Sequence, residues 1–401
     1  MRKRRIYTVQ IASKAIVSLL FLVGGVYSCV TEYVPDGLEK ASSVMVVDGL
    51  ITNEISYFKL TKTVGLLEDI NDIEVISNAS LYIERDDGVL FQNTSYLGNG
   101  RYSVETEDLD PSRKYGLYIR SEGKEYRSEF LEPIITTAID RINLSKAAAG
   151  EPVYVCVSTH DSSDKTPYYM WQYEEIWEVH AQLFGRLGWL PGTVLEYKVY
   201  DRNTSDNMHH CWGRDTSEVY IGAADKLAEN VVIEKKLKGI EAYNDRFTVM
   251  YYVKMQQNQL RKEAYDYFYN LRESVEESGG LFPPMPTNRK GNIECISDPN
   301  TNVLGYVEVS TTAYKEHYFP EVPDIHETPP YVNECPTVYI LRDSLLLDVH
   351  PPRYAPVDTL WYAFVDGPGY CLYLEVTDYS CVDCRLKGTK DRPIGWPTNN
   401  Y

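Results

Sequence analysis

No stretch of about 20 consecutive apolar residues occurs in the 401-residue chain, so no segment reads as a helix that spans a bilayer. Positive charge is scarce as well: 40 Lys and Arg stand against 58 Asp and Glu, a formal charge of −18. An acidic body argues against nucleic acid and anionic headgroups as ligands, because both require a basic face. The short signatures of common catalytic sites are missing, with no GxSxG, HExxH, P-loop, GxGxxG or EF-hand loop. Hydrolase chemistry therefore has no local support, and the chain reads as a non-enzyme with no cofactor and no metal. Cysteine is absent between residues 30 and 155, which confines any disulfide framework to the later part of the chain. Phe (10) and Trp (6) are few beside 34 Tyr, so most aromatic surface is carried by a ring with a polar tip. Such residues suit half-exposed sheet faces; the competing reading is an aromatic surface that touches a ligand or partner.

What is present begins at the start. Arg2, Lys3, Arg4, Arg5 and Lys14 form a positive n-region free of acidic residues, and residues 16–26 follow as an apolar run. A run of that size fits a secretory h-region, usually about 7–15 residues. It ends in Val26-Tyr27-Ser28-Cys29, the order aliphatic, variable, small, Cys of a bacterial lipobox, with Tyr27 bulkier than usual. Residues 1–28 thus read as a lipoprotein signal peptide and Cys29 as the lipidated first residue of the mature protein. Removing the five basic residues of the leader leaves 35 against 58 acidic residues, a charge of −23. Residues 29–43 carry Pro35, Gly37 and scattered acids (Glu32, Asp36, Glu39) without an apolar period, the composition of a flexible tether.

The mature chain is too long for one core and divides into two domains. Residues 44–139 show short apolar or alternating runs every 8–12 residues without helices, which predicts an immunoglobulin-like β-sandwich. Asp86-Asp87-Gly88, Asn99-Gly100 and Glu122-Gly123-Lys124 supply its turns. Leu109-Asp110-Pro111 followed by Tyr115 has the spacing of a tyrosine corner, in which the hydroxyl ties a strand start to the preceding corner. Residues 140–401 read as a larger β-rich domain with one long helix near 257–278. There Leu260, Ala264, Tyr267/Phe268, Leu271 and Val275 form one stripe for packing on a sheet, with Gly279-Gly280 as its stop. The fold class is therefore mainly β. Residues 168–179 form a long aromatic strand whose alternation slips at Glu174-Glu175, which predicts a bulge. Residues 181–215 read as a long excursion, of a kind that is often functional.

Five aromatic residues on or near these elements, Tyr169, Trp171, Tyr173, Trp177 and Trp212, are candidates for ligand or partner contact, since aromatic faces stack on sugars or peptides and form binding hot spots. Beyond Cys29 the chain has Cys156, Cys211, Cys295, Cys335, Cys371, Cys381 and Cys384. An exported protein can oxidise them, and an odd number leaves at least one free or paired between chains. Cys381, Cys384 and Cys211 read as structural thiols. Cys381-Val382-Asp383-Cys384 lacks the βαβ context of a redox pair and the second ligand pair of a zinc site. His209-His210-Cys211 offers metal ligands or a nucleophile, but adjacent residues point apart in a strand, so the two imidazoles share a metal only in a special loop. Asp161, Asp164, Glu174, Glu175 and Glu178 could hold a carboxylate pair for glycoside hydrolysis, which needs two carboxyls facing across a cleft. Glu174 and Glu175 point to opposite faces, and an acidic surface accounts for the group better.

A set of blocks adds a resemblance. Val46-Val47-Asp48-Gly49-Leu50-Ile51-Thr52-Asn53 follows the leader. Gln256 and Glu263-Ala264-Tyr265-Asp266-Tyr267-Phe268 come next, then Gly279-Gly280-Leu281-Phe282-Pro283-Pro284-Met285-Pro286 and Lys290-Gly291-Asn292-Ile293. Val303-Leu304-Gly305-Tyr306-Val307 and Cys381-x-x-Cys384-Arg385 before Trp396 complete them. In this order they resemble the Bacteroidota outer-membrane lipoprotein family called domain of unknown function 4249. Pro283 departs from it, standing where an acidic residue is common. The resemblance implies location and company rather than a reaction. It suggests a lipid-anchored protein of the outer membrane, on the cell surface, accessory to a SusC-type TonB-dependent transporter in glycan or peptide capture. No catalytic residues come with it. The alternative is a non-catalytic scaffold subunit of outer-membrane protein assembly or surface maintenance, whose loss would disturb many surface proteins rather than growth on one nutrient.

Overall fold

The computed structural model describes residues 44–63, 74–161, 166–189, 199–201, 208–224, 230–276, 291–320, 335–341, 354–362 and 370–397. Residues 1–43, read above as leader and tether and including Cys29, lie outside the described residues, as do Asp164, Gly279-Gly280 and residues 281–290. The chain is mainly β, no sheet closes into a barrel, and Lys262–Glu276 is the one long helix among the described residues. No helix among them is long and apolar enough to cross a membrane.

Alternation becomes strand from the first described segment. In Ile55–Lys62 the even positions Ser56, Phe58 and Leu60 are buried while Ile55, Tyr57 and Lys59 face water, the period of two that a one-sided sheet demands. One sheet runs Thr94–Gly98, Arg101–Glu105, Ile55–Lys62, Met45–Ile51, Val303–Gly305, with Glu308–Val309 also on Met45–Ile51. A second runs Leu90–Phe91, Ala79–Arg85, Tyr115–Ser121, Lys124–Ser128, Ile293–Cys295. Val47, Ile51, Phe58, Leu60, Val104, Ile83, Leu117 and Ile119 fill one shared core between them. At Asn99-Gly100 both residues have positive φ (51° and 73°), and a Cβ on Gly100 would lie 2.5 Å from the Leu60 carbonyl oxygen, so glycine is required there. The tyrosine corner is present. The backbone N–H of Asp110 donates to the Tyr115 hydroxyl at 2.8 Å, and Tyr115 is fully buried. Tyr115→Phe deletes that hydrogen bond and is expected to lower stability by about 1 kcal/mol, read as a lower urea midpoint at unchanged slope.

Three strands of this sandwich come from residues 293–309, far beyond the boundary placed near 140. Val303–Gly305 and Glu308–Val309 pair in parallel with Met45–Ile51, and Ile293–Cys295 pairs with Lys124–Ser128. The chain leaves the first sandwich, builds most of a second, and returns to cover two edges that would otherwise expose unpaired backbone.

The second sandwich packs Val231–Ile240, Val153–His160 and Ile139–Lys146 against a sheet ordered His210–Thr216, Tyr168–His180, Met250–Leu260, Ala313–Pro320, with Tyr220–Ala223 also on Tyr168–His180. Its core holds Tyr169, Trp171, Tyr173, Val155, Phe247 and Tyr251. Tyrosine elsewhere works as cross-strand pairs on the sheet faces: Tyr82 stacks on Tyr118 at 4.8 Å and Tyr252 meets Tyr318 at 4.5 Å between ring centres.

The helix starts at Lys262, not 257, because the preceding residues are strand. Gln257 pairs with Trp171 on one side and Ala313 on the other, and Leu260 still pairs with Tyr168. A strand held on both sides outweighs the helical spacing that Leu260 happens to share. Leu260, Ala264, Tyr267 and Phe268 pack with Tyr306, Leu50 and Leu131 of the first sandwich and Met170 and Ile221 of the second. The stripe stops there, since Leu271 is half exposed.

Candidate functional site

The strand Tyr168–His180 supplies most of the side chains marked by the sequence, and it runs straight. Its pairing with Met250–Leu260 is continuous from Tyr168 to Glu178, so there is no bulge at Glu174-Glu175. Odd positions therefore face the inter-sheet core throughout. Tyr169, Trp171 and Tyr173 therefore lie in the core and not on a contact surface. Tyr169, Trp171 and Tyr173 are at most 1% exposed. The Trp171 indole N–H donates to Gln257 Oε1 at 2.7 Å, and the Tyr169 hydroxyl donates to Asn230 Oδ1 at 2.8 Å. Trp177 lies across Gly213, where a Cβ would come within 2.2 Å of its ring, and the Arg246 guanidinium covers it at 4.1 Å. Trp212 packs with Met250, Tyr252 and Trp396.

The unbroken register also buries Glu175, so an acidic surface does not account for it. Its Oε1 accepts from Arg246 Nε (3.0 Å) and Nη2 (2.8 Å), and its Oε2 accepts from the Tyr251 hydroxyl. Arg246 also reaches Asp215 Oδ2 at 3.0 Å. Burial opposes the charge on Arg246, but Glu175 outweighs it and holds the guanidinium pKa above its ordinary value. Arg246 thus neutralises Glu175 and Asp215 together. Asp161 is buried as well, accepting from Gln259 Nε2 at 2.9 Å.

On the even face, at the end of the same strand, a polar cluster forms that the sequence did not show. His180 lies directly opposite His210 in the antiparallel ladder, so both rings leave the same face of the sheet. His209 sits in the bend just before the strand His210–Thr216, where the alternation rule no longer separates it from His210. The ring centres lie 4.1 Å (His180–His210), 4.9 Å (His180–His209) and 4.8 Å (His209–His210) apart. One nitrogen from each ring falls within 4.8 Å of the others, a grouping that can hold a metal ion. Phe184, exposed, stands 5.7 Å from His209.

Glu178 anchors the cluster. It is buried on the same face two residues before His180. Its Oε1 lies 2.7 Å from His180 Nε2 and 3.3 Å from His210 Nδ1, while its Oε2 accepts from the Trp396 indole N–H at 2.9 Å. Burial alone would raise its pKa, but the hydrogen bonds from His180, Trp396 and His210 prevail and hold it below the ordinary carboxylate value. Burial and the two neighbouring imidazoles push His209 down to about 4, and burial lowers His210 too. The local signal was Glu178-x-His180 at a strand end, which becomes meaningful only when that end meets His209-His210.

The cysteines frame this corner. Cys211, next to His210, is bonded to Cys384, and Cys335 is bonded to Cys381. A disulfide sulfur is neither a thiolate ligand nor a nucleophile, which removes Cys211 from the chemistry. Cys381 and Cys384 are not bonded to each other. Cys156 and Cys295 are buried free thiols, and burial pushes Cys156 up to about 11. The family described as domain of unknown function (DUF4249) matches residues 30–316, more than half of the chain. The match includes His180, His209 and His210 and ends before the last three bonded cysteines. No curated protein matches the chain at a significant level.

Proposed function

The chain belongs to the DUF4249 family, and on that footing we propose that it is a non-catalytic, lipid-anchored accessory protein of a bacterial outer membrane. It works with a SusC-type TonB-dependent transporter in the capture of glycan or peptide nutrients. The observation that carries this reading is Cys29 at the end of a basic and then apolar leader, followed by a tether. The two disulfides support export, because such bonds persist in oxidising compartments outside the cytoplasm. The two sandwiches meet through Leu260, Ala264, Tyr267 and Phe268, which pack with residues of both. With Tyr169, Trp171 and Tyr173 in the core, contact falls to aromatics that do face water, among them Tyr57 and Tyr314, each more than half exposed.

The expected result is incorporation of labelled palmitate into the wild-type protein and its recovery, after mild detergent extraction, with a large barrel protein. Cys29→Ala should abolish labelling and move the protein out of the membrane fraction. Labelling that survives the substitution removes the anchor from the reading. Recovery of the acylated wild type only as a free monomer removes the transporter.

A further inference from the structure

We propose that His180, His209 and His210 form a binding site for one borderline divalent transition metal, Zn²⁺ or Cu²⁺. The proposal is independent of the anchor and of the transporter.

Three observations carry it. First, the ligand set is right in number and kind. Three imidazoles are a ligand set that zinc takes, and imidazole also suits Cu²⁺, whereas Ca²⁺ and Mg²⁺ favour oxygen. Second, the geometry is near what is needed. Nitrogens bound at about 2.0–2.1 Å around a tetrahedral ion lie about 3.3 Å apart, and the three here already lie within 4.8 Å of one another. His180 and His210 are fixed as opposite partners in the ladder.

Third, the surroundings are built for it. Metal-bound histidines donate their other ring N–H to a carboxylate, which sets the tautomer and raises the ligand's basicity. Glu178 takes that place for two rings at once. An ionised carboxylate only accepts, so His180 Nε2 and His210 Nδ1 carry the protons that point to Glu178. Glu178 is itself held by the Trp396 indole. Beside it the Cys211–Cys384 bridge fixes the backbone next to His210, and the Ala181 N–H donates to the His209 carbonyl at 2.8 Å, closing the corner across the two strands. The rings remain accessible, with His180 22% and His210 36% exposed at the side chain, so an ion can enter.

The test uses the full chain purified in detergent without a histidine tag, stripped with chelator and titrated calorimetrically with Zn²⁺, Cu²⁺ and Ca²⁺. One equivalent of Zn²⁺ or Cu²⁺ should bind, with Ca²⁺ much weaker, and Cu²⁺ should show nitrogen hyperfine structure in its EPR spectrum. Loss of a carboxylate that orients a metal-bound imidazole typically costs about 10–100-fold in affinity, so Glu178→Gln should fall in that range, and His180→Ala or His210→Ala should cost about 100-fold or more. The thermal midpoint of each metal-free variant is compared with wild type to separate a lost site from a lost fold. If His180→Ala does not fold, Glu178→Gln and His209→Ala decide. Absence of saturable binding, affinity unchanged by the histidine substitutions, or equal binding of Ca²⁺ at the acidic surface would overturn the assignment.

Discussion

Arg246→Ala should be among the most destabilising single substitutions in the second sandwich, lowering unfolding free energy by about 3–5 kcal/mol. The reason is what remains after truncation. Glu175 is wholly buried, and its charge would be left with the Tyr251 hydroxyl and the Lys238 ammonium at 3.7 Å. Trp177 would also lose the guanidinium that covers it. Glu175→Ala leaves a less exacting problem, because Arg246 keeps Asp215, whose carboxylate is half exposed. It should cost less than Arg246→Ala, and this asymmetry is the specific claim. A double replacement of Glu175 and Arg246 by apolar residues of similar volume should recover much of the loss, since it removes both desolvation penalties together. Urea unfolding of the three variants measures it. Equal costs for the two single alanines, or a cost under about 1 kcal/mol for Arg246→Ala, would mean that water reaches Glu175.

That pair also shows what the sequence could and could not reveal. The alternation Tyr169, Trp171, Tyr173 was legible, and so was a strand. Which face is buried was not, because Met170 and Ile176 make the other face partly apolar as well. Glu175 looked like a slip in register because a carboxylate breaks an apolar face. Its partner Arg246 lies 71 positions away, and nothing local announces the pairing. The helix start failed for a related reason: Gln257, Asn258 and Gln259 are a polar run that reads as surface, yet all three are buried. They bind Trp171, Thr312 and Thr137 from a central strand. The tyrosine corner and the Asn99-Gly100 turn were legible because every residue they require lies within a few positions.

The candidate site divides in the same way. His209-His210 is visible as a pair, and in a regular strand its two rings would point apart. The bend before His210 and the ladder partner His180 lifted that limitation, and both depend on the pairing of segments about 30 residues apart. Glu178 looks like half of a hydrolytic pair in the sequence and is instead the carboxylate that orients two imidazoles.

The last expected result concerns the bridge behind those histidines. Cys384→Ser, or selective reduction, should lower stability by about 2–5 kcal/mol, at the upper end of that range because the closed loop is long. Cys211 and Cys384 are 173 positions apart, and even the shorter route through Cys335–Cys381 leaves a loop of well over a hundred residues. An open chain regains much of that freedom when unfolded. The native contacts around the bridge do not all depend on it. Trp212 and Thr389 exchange backbone hydrogen bonds at 2.8 and 2.9 Å, and the Cys384 N–H donates to the Met208 carbonyl at 2.8 Å. The C-terminal segment should therefore stay docked in native buffer but open more often than the core. Hydrogen exchange should accelerate strongly at the Trp212 and Thr389 amides and only by the global loss at Met255, which sits in the centre of the sheet. A variant whose urea midpoint matches wild type would show that the C-terminal segment unfolds independently of the sandwiches, and that the bridge constrains only the segment it joins.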